Sequence, residues 1–219
     1  LPTVELVEQA VPVVDHALAT AFLARPVEHG ADLIVHSSTK VLAAHGAVIG
    51  GVVVDAGTFD FGREPEKWPG LHAESAPGQG TLWSRFAEQK LAYLLRIRTL
   101  VRDFGPSASP FNAFLLQLGI ETLSLRMRQH VANAREIVKF LSEHPQVATV
   151  HYAELPESPW RAAAATYLPQ GAGAVFSFEL HGGYEAGKRF IGALRLFSHI
   201  ANIGDVRSLA IQPATTTHS

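Results

Sequence analysis

The sequence predicts an α/β fold in which helices cover a parallel or mixed sheet. Continuous apolar runs at 11–15, 32–36 and 47–55 indicate strands that are buried on both faces. A helical pattern at 22–30 lies between the first two runs, as in a β-α-β unit. It closes with Gly30, and glycine is common where helices end. The order of these elements therefore favours a sheet with helical crossovers.

Composition limits the possible functions. The chain has 219 residues, of which 47% are hydrophobic and 17% are charged, so it can bury a globular core. A formal net charge of −2 gives the chain no general attraction to nucleic acid or to an anionic membrane. The absence of cysteine excludes disulfides, thiolate zinc sites and cysteine nucleophiles within this sequence. Because no run approaches about 18 apolar residues, we expect a cytoplasmic protein without nucleic-acid or membrane partners.

A second, smaller domain is predicted after a break in the pattern. A segment rich in Gly, Pro and aromatic residues at 57–80 precedes a long helical pattern at 82–104. Residues 105–110 begin with glycine and contain two prolines, which interrupt a helix. We therefore predict one domain at 1–105 and a C-terminal α+β domain at 106–219. The elements expected in the second domain are helices at 111–118, 123–141 and 184–196 and strands at 147–152 and 174–180.

The densest group of polar side chains follows the second predicted strand. The string His36-Ser37-Ser38-Thr39-Lys40 ends in a lysine behind three hydroxyls. Burial removes water from an ammonium group, which lowers its pKa and favours the nucleophilic amine of Schiff-base chemistry. Hydroxyls such as those of Ser37 and Thr39 can donate hydrogen bonds to a phosphate beside the lysine. The alternative is an ordinary turn with solvated hydroxyls and a lysine that extends into solvent.

Asp15 ends the neighbouring predicted strand. Asp15 and Lys40 could therefore emerge at the same edge of the sheet, where open α/β sheets bind ligands. A carboxylate facing a ring nitrogen and a lysine joined to an aldehyde are what pyridoxal phosphate (PLP) chemistry requires. The carboxylate keeps the pyridine nitrogen protonated, so that the ring accepts electrons from a substrate carbanion. The alternative for Asp15 is a helix N-cap, a position that aspartate favours.

Motifs in a fixed order run along nearly the whole chain. They lie at 13–15, 30–40, 45–46, 109–114, 118–123, 199–205 and 213–218. Their residues, order and spacing resemble the Cys/Met-metabolism family of PLP-dependent enzymes, which have fold-type I. Within that family, the later motifs are similar to those of the O-acetylhomoserine sulfhydrylase branch.

This resemblance implies a role for several residues. Lys40 would carry PLP as a Schiff base, and Asp15 would pair with the pyridine nitrogen. Ser37 and Thr39 would hold the phosphate, and Ser208 would lie beside the substrate carboxylate. The implied reaction is γ-replacement on O-acetylhomoserine, in which sulfide or methanethiol displaces acetate to give homocysteine or methionine. The released lysine would move the Cα proton.

The chain departs from the family pattern at several positions. His16-Ala17 stand where the family usually has Asn-Thr, Ala43-Ala44 replace two glycines, and Gln212 stands where a histidine is common. Two alternatives therefore stay open. One is a cystathionine γ-synthase or methionine γ-lyase activity with the same cofactor, and the other is a non-catalytic relative that retains the fold.

The first residues resemble two distant parts of the family's large domain. Residues 2–9 are similar to an early Asn-Pro-Thr segment, whereas 11–15 are similar to a much later strand. We therefore expect a chain gap near 10/11 and a physical polypeptide much longer than 219 residues. On this interpretation 1–105 is part of an aspartate-aminotransferase-like, PLP-binding large domain, and 106–219 is a small domain incomplete at its end. The resemblance also implies a homotetramer whose active sites are completed by neighbouring subunits.

Charged residues and histidines suggest no further site. Arg126, Arg128, Arg135 and Lys139 recur along one predicted helix and favour a solvated face. The 11 histidines include no H-E-x-x-H pattern, so no metal site is expected.

Overall fold

The computed structural model describes residues 11–74 and 76–216, and the chain divides into two compact units. The first unit comprises Leu1–Asp15, Pro26–Val35 and Val53–Pro110, and the second comprises His16–Arg25, His36–Val52 and Phe111–Ser219. The expected domains at 1–105 and 106–219 concern the whole protein and stay a prediction.

The three apolar runs form a sheet in the order β1 (Val13–Asp15), β2 (Leu33–Ser37) and β3 (Gly51–Asp55). β1 and β2 are parallel, and Val13 lies opposite Leu33. The two strands are joined by the crossover that the sequence predicts, which is how a parallel pair must be connected.

β3 runs antiparallel to β2, so the sheet is mixed. The amide of Ala56 donates to Asp32 O at one end of the pair (2.8 Å), and the amide of Ser38 donates to Gly50 O at the other (3.0 Å). Residue numbers thus rise along one strand as they fall along the other, which is the antiparallel arrangement.

Burial differs between the strands. Ile34 of β2 is only 3% exposed, whereas Val52, Val53 and Val54 of β3 are each more than a third exposed. In the described residues, the prediction of strands buried on both faces is therefore correct only at Leu33 and Ile34, where β2 begins. It is wrong for the middle of β2, where Val35 is 39% exposed, and for β1 and β3. The apolar run indicates the strand, because β-branched residues favour extended backbone, but it does not ensure that another layer covers it.

The crossover contains two short helices instead of the single predicted one at 22–30. They are α1 (Thr20–Leu23) and a 3-10 helix at Pro26–His29, and Ala24 between them is extended. Pro26 explains the interruption, because proline lacks an N–H and disfavours helical backbone in the residue before it.

The predicted long helix at 82–104 is also divided. Its two parts are α3 (Leu82–Phe86) and α4 (Ala92–Phe104), after a 3-10 turn at Pro65–Lys67 and the short helix α2 (Pro69–His72). Lys90 between the two parts has φ +57°, a left-handed conformation that breaks a helix.

An aromatic cluster forms a packed centre in the first unit. Phe61 is 4% exposed, contacts the Trp68 ring edge-on at a centroid separation of 5.0 Å, and stacks on Tyr93 at 5.0 Å. Arrangements of this kind are favoured by the aromatic quadrupole. The aromatic residues of the first part of the segment at 57–80 therefore pack on one another and on Tyr93 of α4.

The second unit is organised by α5 (Pro110–Glu121) and α6 (Leu123–Ser142). The buried residues of α6 are Met127, Val131, Ala134, Val138 and Leu141. They recur every three or four residues, as one face of a helix requires, and they confirm the predicted apolar face. A core cluster joins Met127 and Val131 to Leu23 and to Val41, the residue after Lys40.

The remaining elements complete the C-terminal region. They are β4 (Val147–His151), α7 (Arg161–Tyr167), β5 (Ser177–Leu180), α8 (Gly183–Ala193), β6 (Ser198–His199), β7 (Leu209–Ala210) and a 3-10 turn at Pro213–Thr215. β4 and β5 pair antiparallel, and β6 and β7 pair parallel. Among the residues that the structure describes, no helix is both long enough and apolar enough to cross a membrane.

Candidate active site

Lys40 lies on a tight turn that follows β2. Ser38–Leu42 form a π-helical turn in which Lys40 has non-helical backbone angles of φ −91° and ψ −126°. The amide of Ala43 donates to Ser38 O (3.2 Å), and the amide of Ala44 donates to Lys40 O (2.9 Å). The lysine is half-buried on a turn whose first residue, Ser38, is buried. Single π turns are frequent at functional sites.

The Lys40 amine is held by a side chain far along the chain. Nζ donates a hydrogen bond of 2.7 Å to Oδ1 of Asn202. The acceptor of this bond is a neutral amide oxygen, so the bond directs the amine without placing a negative charge on it. The sequence marks Asn202 only as part of the motif at 199–205 and predicts no role for it.

An ion pair organises the loop that carries Asn202. The Asp205 side chain is 3% exposed and accepts from Arg207 Nε (3.0 Å) and from Arg207 Nη2 (2.8 Å). The Arg207 amide also donates to Asp205 Oδ1 (2.9 Å). These hydrogen bonds hold the pKa of the Asp205 carboxyl below its ordinary value. Asp205 is therefore charged, and both of its carboxylate oxygens accept hydrogen bonds from Arg207 within the loop.

The same loop packs closely on the lysine turn. The Val206 amide donates to Ala44 O (2.8 Å). Gly204 has φ +75°, and a Cβ added there would lie 2.5 Å from Val41 N. Only glycine allows both that conformation and that approach. The loop and the turn are thus in direct backbone contact.

Thr39 uses its hydroxyl to tie the turn to the start of β3. The Gly50 amide donates to Thr39 Oγ1 (3.0 Å), and Thr39 Oγ1 is 3.4 Å from Gly50 O. Ser37, the other proposed phosphate ligand, ends β2 and is half-buried. The structure therefore places both hydroxyl residues on the segment that carries Lys40, with Thr39 already bonded to backbone.

Arg126 supports the turn from the helix side. Its guanidinium donates to Val41 O (2.9 Å) from Nη1 and to Gly119 O (2.6 Å) from Nη2. Burial lowers the pKa of the Arg126 guanidinium from its ordinary value. The prediction of a solvated face is therefore wrong for Arg126, since helical periodicity cannot show that backbone carbonyls lie opposite a charged position.

Asp15 and Ser208 make no contact with Lys40 that the structure describes, although Ser208 directly follows the Asn202 loop. Asp15 ends β1 opposite Val35, in the first unit, whereas Lys40 belongs to the second unit. Ser208 is exposed and immediately precedes β7, and its carbonyl accepts from the Ser198 amide (2.9 Å). The roles of Asp15 and Ser208 stay predictions.

His16 and Ala44, two positions that depart from the family pattern, are both buried. The His16 backbone oxygen lies 3.1 Å from Nδ1 of His36, and the two rings are 5.1 Å apart. Both histidines are at most 9% exposed. Ala44 is fully buried with φ +70°, a conformation that is costly for any residue with a Cβ. This explains physically why a glycine is suited to position 44.

The residues around Lys40 fit a cofactor that bonds to an amine. A half-buried primary amine faces a neutral acceptor, and the backbone that carries it is held from two sides by Arg126 and by the Asn202 loop. An aldehyde requires such an oriented, nucleophilic amine. The second unit by itself therefore contains an amine that fits the attachment that PLP requires, and the role of Lys40 stays a prediction.

Comparison with known proteins gives consistent results. The family profile of Cys/Met metabolism PLP-dependent enzymes matches residues 4–219. The chain is 42% identical over 222 residues to an O-acetyl-L-homoserine sulfhydrylase from Leptospira meyeri, covering 96% of this chain and 50% of that protein. It is 47% identical over 199 residues to O-acetyl-L-homoserine sulfhydrylase 1 from Thermus thermophilus, covering 90% of this chain and 47% of that protein. The chain thus spans about half the length of the curated relatives it matches.

A solved structure is similar as well. It is a candidate O-acetylhomoserine (thiol)-lyase from Campylobacter jejuni that contains a pyridoxyl-lysine 5'-monophosphate residue. The TM-score is 0.87 at 32% sequence identity, and the match covers 99% of this chain and 53% of that chain. This likeness confirms the predicted fold class.

Proposed function

Because this chain belongs to the Cys/Met metabolism PLP-dependent enzyme family, we propose that the full-length protein is a PLP-dependent transferase acting on O-acetylhomoserine. Sulfide or methanethiol would form a bond to Cγ as acetate leaves, which gives homocysteine or methionine. The names of the relatives from Leptospira meyeri and Thermus thermophilus support this substrate.

The observation that carries the proposal is the position of Lys40. Its amine is half-buried on a turn held by hydrogen bonds from Arg126 and Val206, and Asn202 accepts a hydrogen bond from it. When bound, PLP supplies an electron sink for the negative charge that develops at the substrate Cα. Lys40 would hold the cofactor through Nζ and, when free of it, would move the proton at Cα.

Four further residues complete the proposed site. Asp15 would pair with the ring nitrogen, Ser37 and Thr39 would bind the phosphate, and Ser208 would lie beside the substrate carboxylate. Support for Ser37 and Thr39 is their location on the segment that ends in Lys40. Asp15 is supported by its place at the carboxyl end of β1, the edge at which open α/β sheets bind ligands.

Replacement of the lysine tests the proposal. In the full-length protein, Lys40→Ala should abolish the visible absorbance of bound PLP and the formation of homocysteine from O-acetylhomoserine and sulfide. The exposed Lys188→Ala on α8 is the matched control and should retain both signals. Absorbance that persists in Lys40→Ala would exclude this lysine as the attachment point.

The same assay separates the related activities. Turnover of a succinyl ester with cysteine would instead indicate a cystathionine γ-synthase, and release of methanethiol from methionine would indicate a methionine γ-lyase. A protein that neither takes up PLP nor converts a homoserine ester would be a non-catalytic relative.

Assembly, domain organisation and location are part of the proposal. We expect a cytoplasmic homotetramer, with 1–105 in the PLP-binding large domain and 106–219 in the C-terminal small domain. The family's small-molecule chemistry supports the substrates, and the resemblance supports the tetramer. A monomeric mass by light scattering at micromolar concentration would contradict the assembly, and cell fractionation tests the location.

A further inference from the structure

Asn202 is the residue whose side chain reaches the Lys40 amine from a distant part of the sequence. The two residues are 162 positions apart, and the hydrogen bond from Nζ to Oδ1 is 2.7 Å long. Both side chains are half-buried, so this contact competes less with water than a bond on an open surface would.

An acidic residue lies on the same loop and is already engaged. Asp205 directs both carboxylate oxygens to the Arg207 guanidinium, at 3.0 and 2.8 Å. Two further charged or titratable groups lie next to this loop. His45 contributes to lowering the pKa of the Asp205 carboxyl, and Arg126 binds the carbonyls of the lysine turn. The loop thus contains a carboxylate, yet it presents a neutral amide to the lysine.

The backbone contacts explain how the amide keeps its place. Val206 donates to Ala44 O, and Gly204 approaches the Val41 backbone without room for a Cβ. A Cβ at Gly46, on the lysine side, would lie 3.3 Å from Asp205 Oδ2 and 3.9 Å from Asn202 Nδ2. The loop is therefore fitted to the turn at several points, and Asn202 has little freedom to move away.

We infer that Asn202 is a positioning residue for Lys40: its amide oxygen orients the amine through the 2.7 Å hydrogen bond and places no charge beside it. The inference rests on the proposed function, in which Lys40 bonds to PLP. A carboxylate at position 202 would have nearly the same shape but would stabilise the ammonium form, since an opposite charge within about 4–6 Å favours the charged state.

The test measures the amine itself, in full-length protein stripped of carbonyl cofactor with hydroxylamine. Trinitrobenzenesulfonate modifies only unprotonated amines, and peptide mass spectrometry reports the extent at Lys40 as a function of pH. Asn202→Asp should move the midpoint of Lys40 modification upward by about one pH unit or more. Asn133→Asp, an equivalent change at an exposed position of α6, should leave the midpoint where it is in the unchanged protein.

A second variant covers the case in which Asn202→Asp does not fold. Asn202→Ala removes the acceptor without adding charge, so it should reduce the rate of PLP capture severalfold while producing no upward shift of the midpoint. Equal midpoints in Asn202→Asp and Asn133→Asp, or an unchanged capture rate in Asn202→Ala, would overturn the inference. Failure of the proposed function is distinguishable, because modification of Lys40 requires no cofactor and no substrate.

Discussion

The helix α6 and the lysine turn at 38–42 lie in the same unit but are stabilised in different ways. The buried residues of α6 recur every three or four positions, and its backbone hydrogen bonds are internal to the helix. The turn contains an irregular residue, Lys40, and it is held by Asn202, Val206 and Arg126 from elsewhere in the chain.

This difference shows that neighbouring residues are sufficient to specify a regular helix such as α6 but not the lysine turn. A helix forms wherever helical spacing of apolar residues can be buried, so many sequences would give α6. The turn depends on the simultaneous presence of a close glycine, a half-buried arginine and a distant amide. Substitutions in α6 should therefore act by volume, whereas substitutions around the turn should act by shape and conformation.

The largest effect is expected for Met127→Ala, at the point where the helix meets the turn. Met127 is 1% exposed and packs in the cluster that contains Val41. The cavity should lower the free energy of unfolding by about 3 kcal/mol. Urea unfolding of the full-length protein, followed by circular dichroism, measures this. Glu136→Ala on the exposed face of α6 should change it by less than about 0.5 kcal/mol, and equal effects would contradict the assigned face.

A smaller effect is expected for Gly119→Ala in α5. A Cβ there would overlap Leu42 O and lie 2.8 Å from Ala43 O, so the helix and the turn would have to separate. We expect a loss of about 2 kcal/mol together with reduced PLP uptake. The control is Gly192→Ala in α8, whose Cβ would meet nothing within 4 Å.

Gly192→Ala should instead stabilise the protein by about 0.5–1 kcal/mol, because alanine loses less backbone freedom in a helix. The two variants make the same chemical change on two helices, and urea unfolding compares them directly. If Gly192→Ala destabilised the protein as much as Gly119→Ala does, the effect at Gly119 could not be attributed to the close approach of α5 to the turn.

The smallest effect is expected for two alanines within the turn region. Ala43 has φ −82°, whereas Ala44 has φ +70°, which costs a residue with a Cβ about 1–2 kcal/mol. Ala43→Gly should therefore lower the free energy of unfolding by about 1 kcal/mol more than Ala44→Gly does. Thermal unfolding of the two variants side by side checks the difference, and equal losses would argue against the left-handed conformation at position 44.

Sequence patterns predicted the regular parts of the fold well and the interruptions poorly. The parallel pairing of the first two strands and the buried face of α6 followed from apolar spacing. The division of the helix pattern at 82–104 did not, because Lys90 adopts a left-handed conformation that its side chain gives no reason to expect. The aliphatic part of Lys90 packs over Gly57, a contact that only the folded chain brings about.

The site shows the same division at the level of single residues. Lys40 and the hydroxyls before it could be identified as chemistry-bearing residues from their order alone. The sequence pattern favours a solvated face for Arg126, although its guanidinium binds the carbonyls of Val41 and Gly119. The charge of Arg126 does not predict these hydrogen bonds, because arginine occurs both on solvated helix faces and bound to backbone carbonyls.

Local sequence alone specifies which residues can do chemistry, where apolar strands and helix faces lie, and which family the chain resembles. These properties are encoded in neighbouring residues, because the periods of strands and helices follow from local backbone geometry. By contrast, the folded chain is needed to show that the Lys40 amine binds the neutral amide of Asn202 while the carboxylate of Asp205 binds Arg207. The physical reason is that hydrogen bonds between distant residues depend on how the chain returns to itself, and composition and spacing do not specify that path.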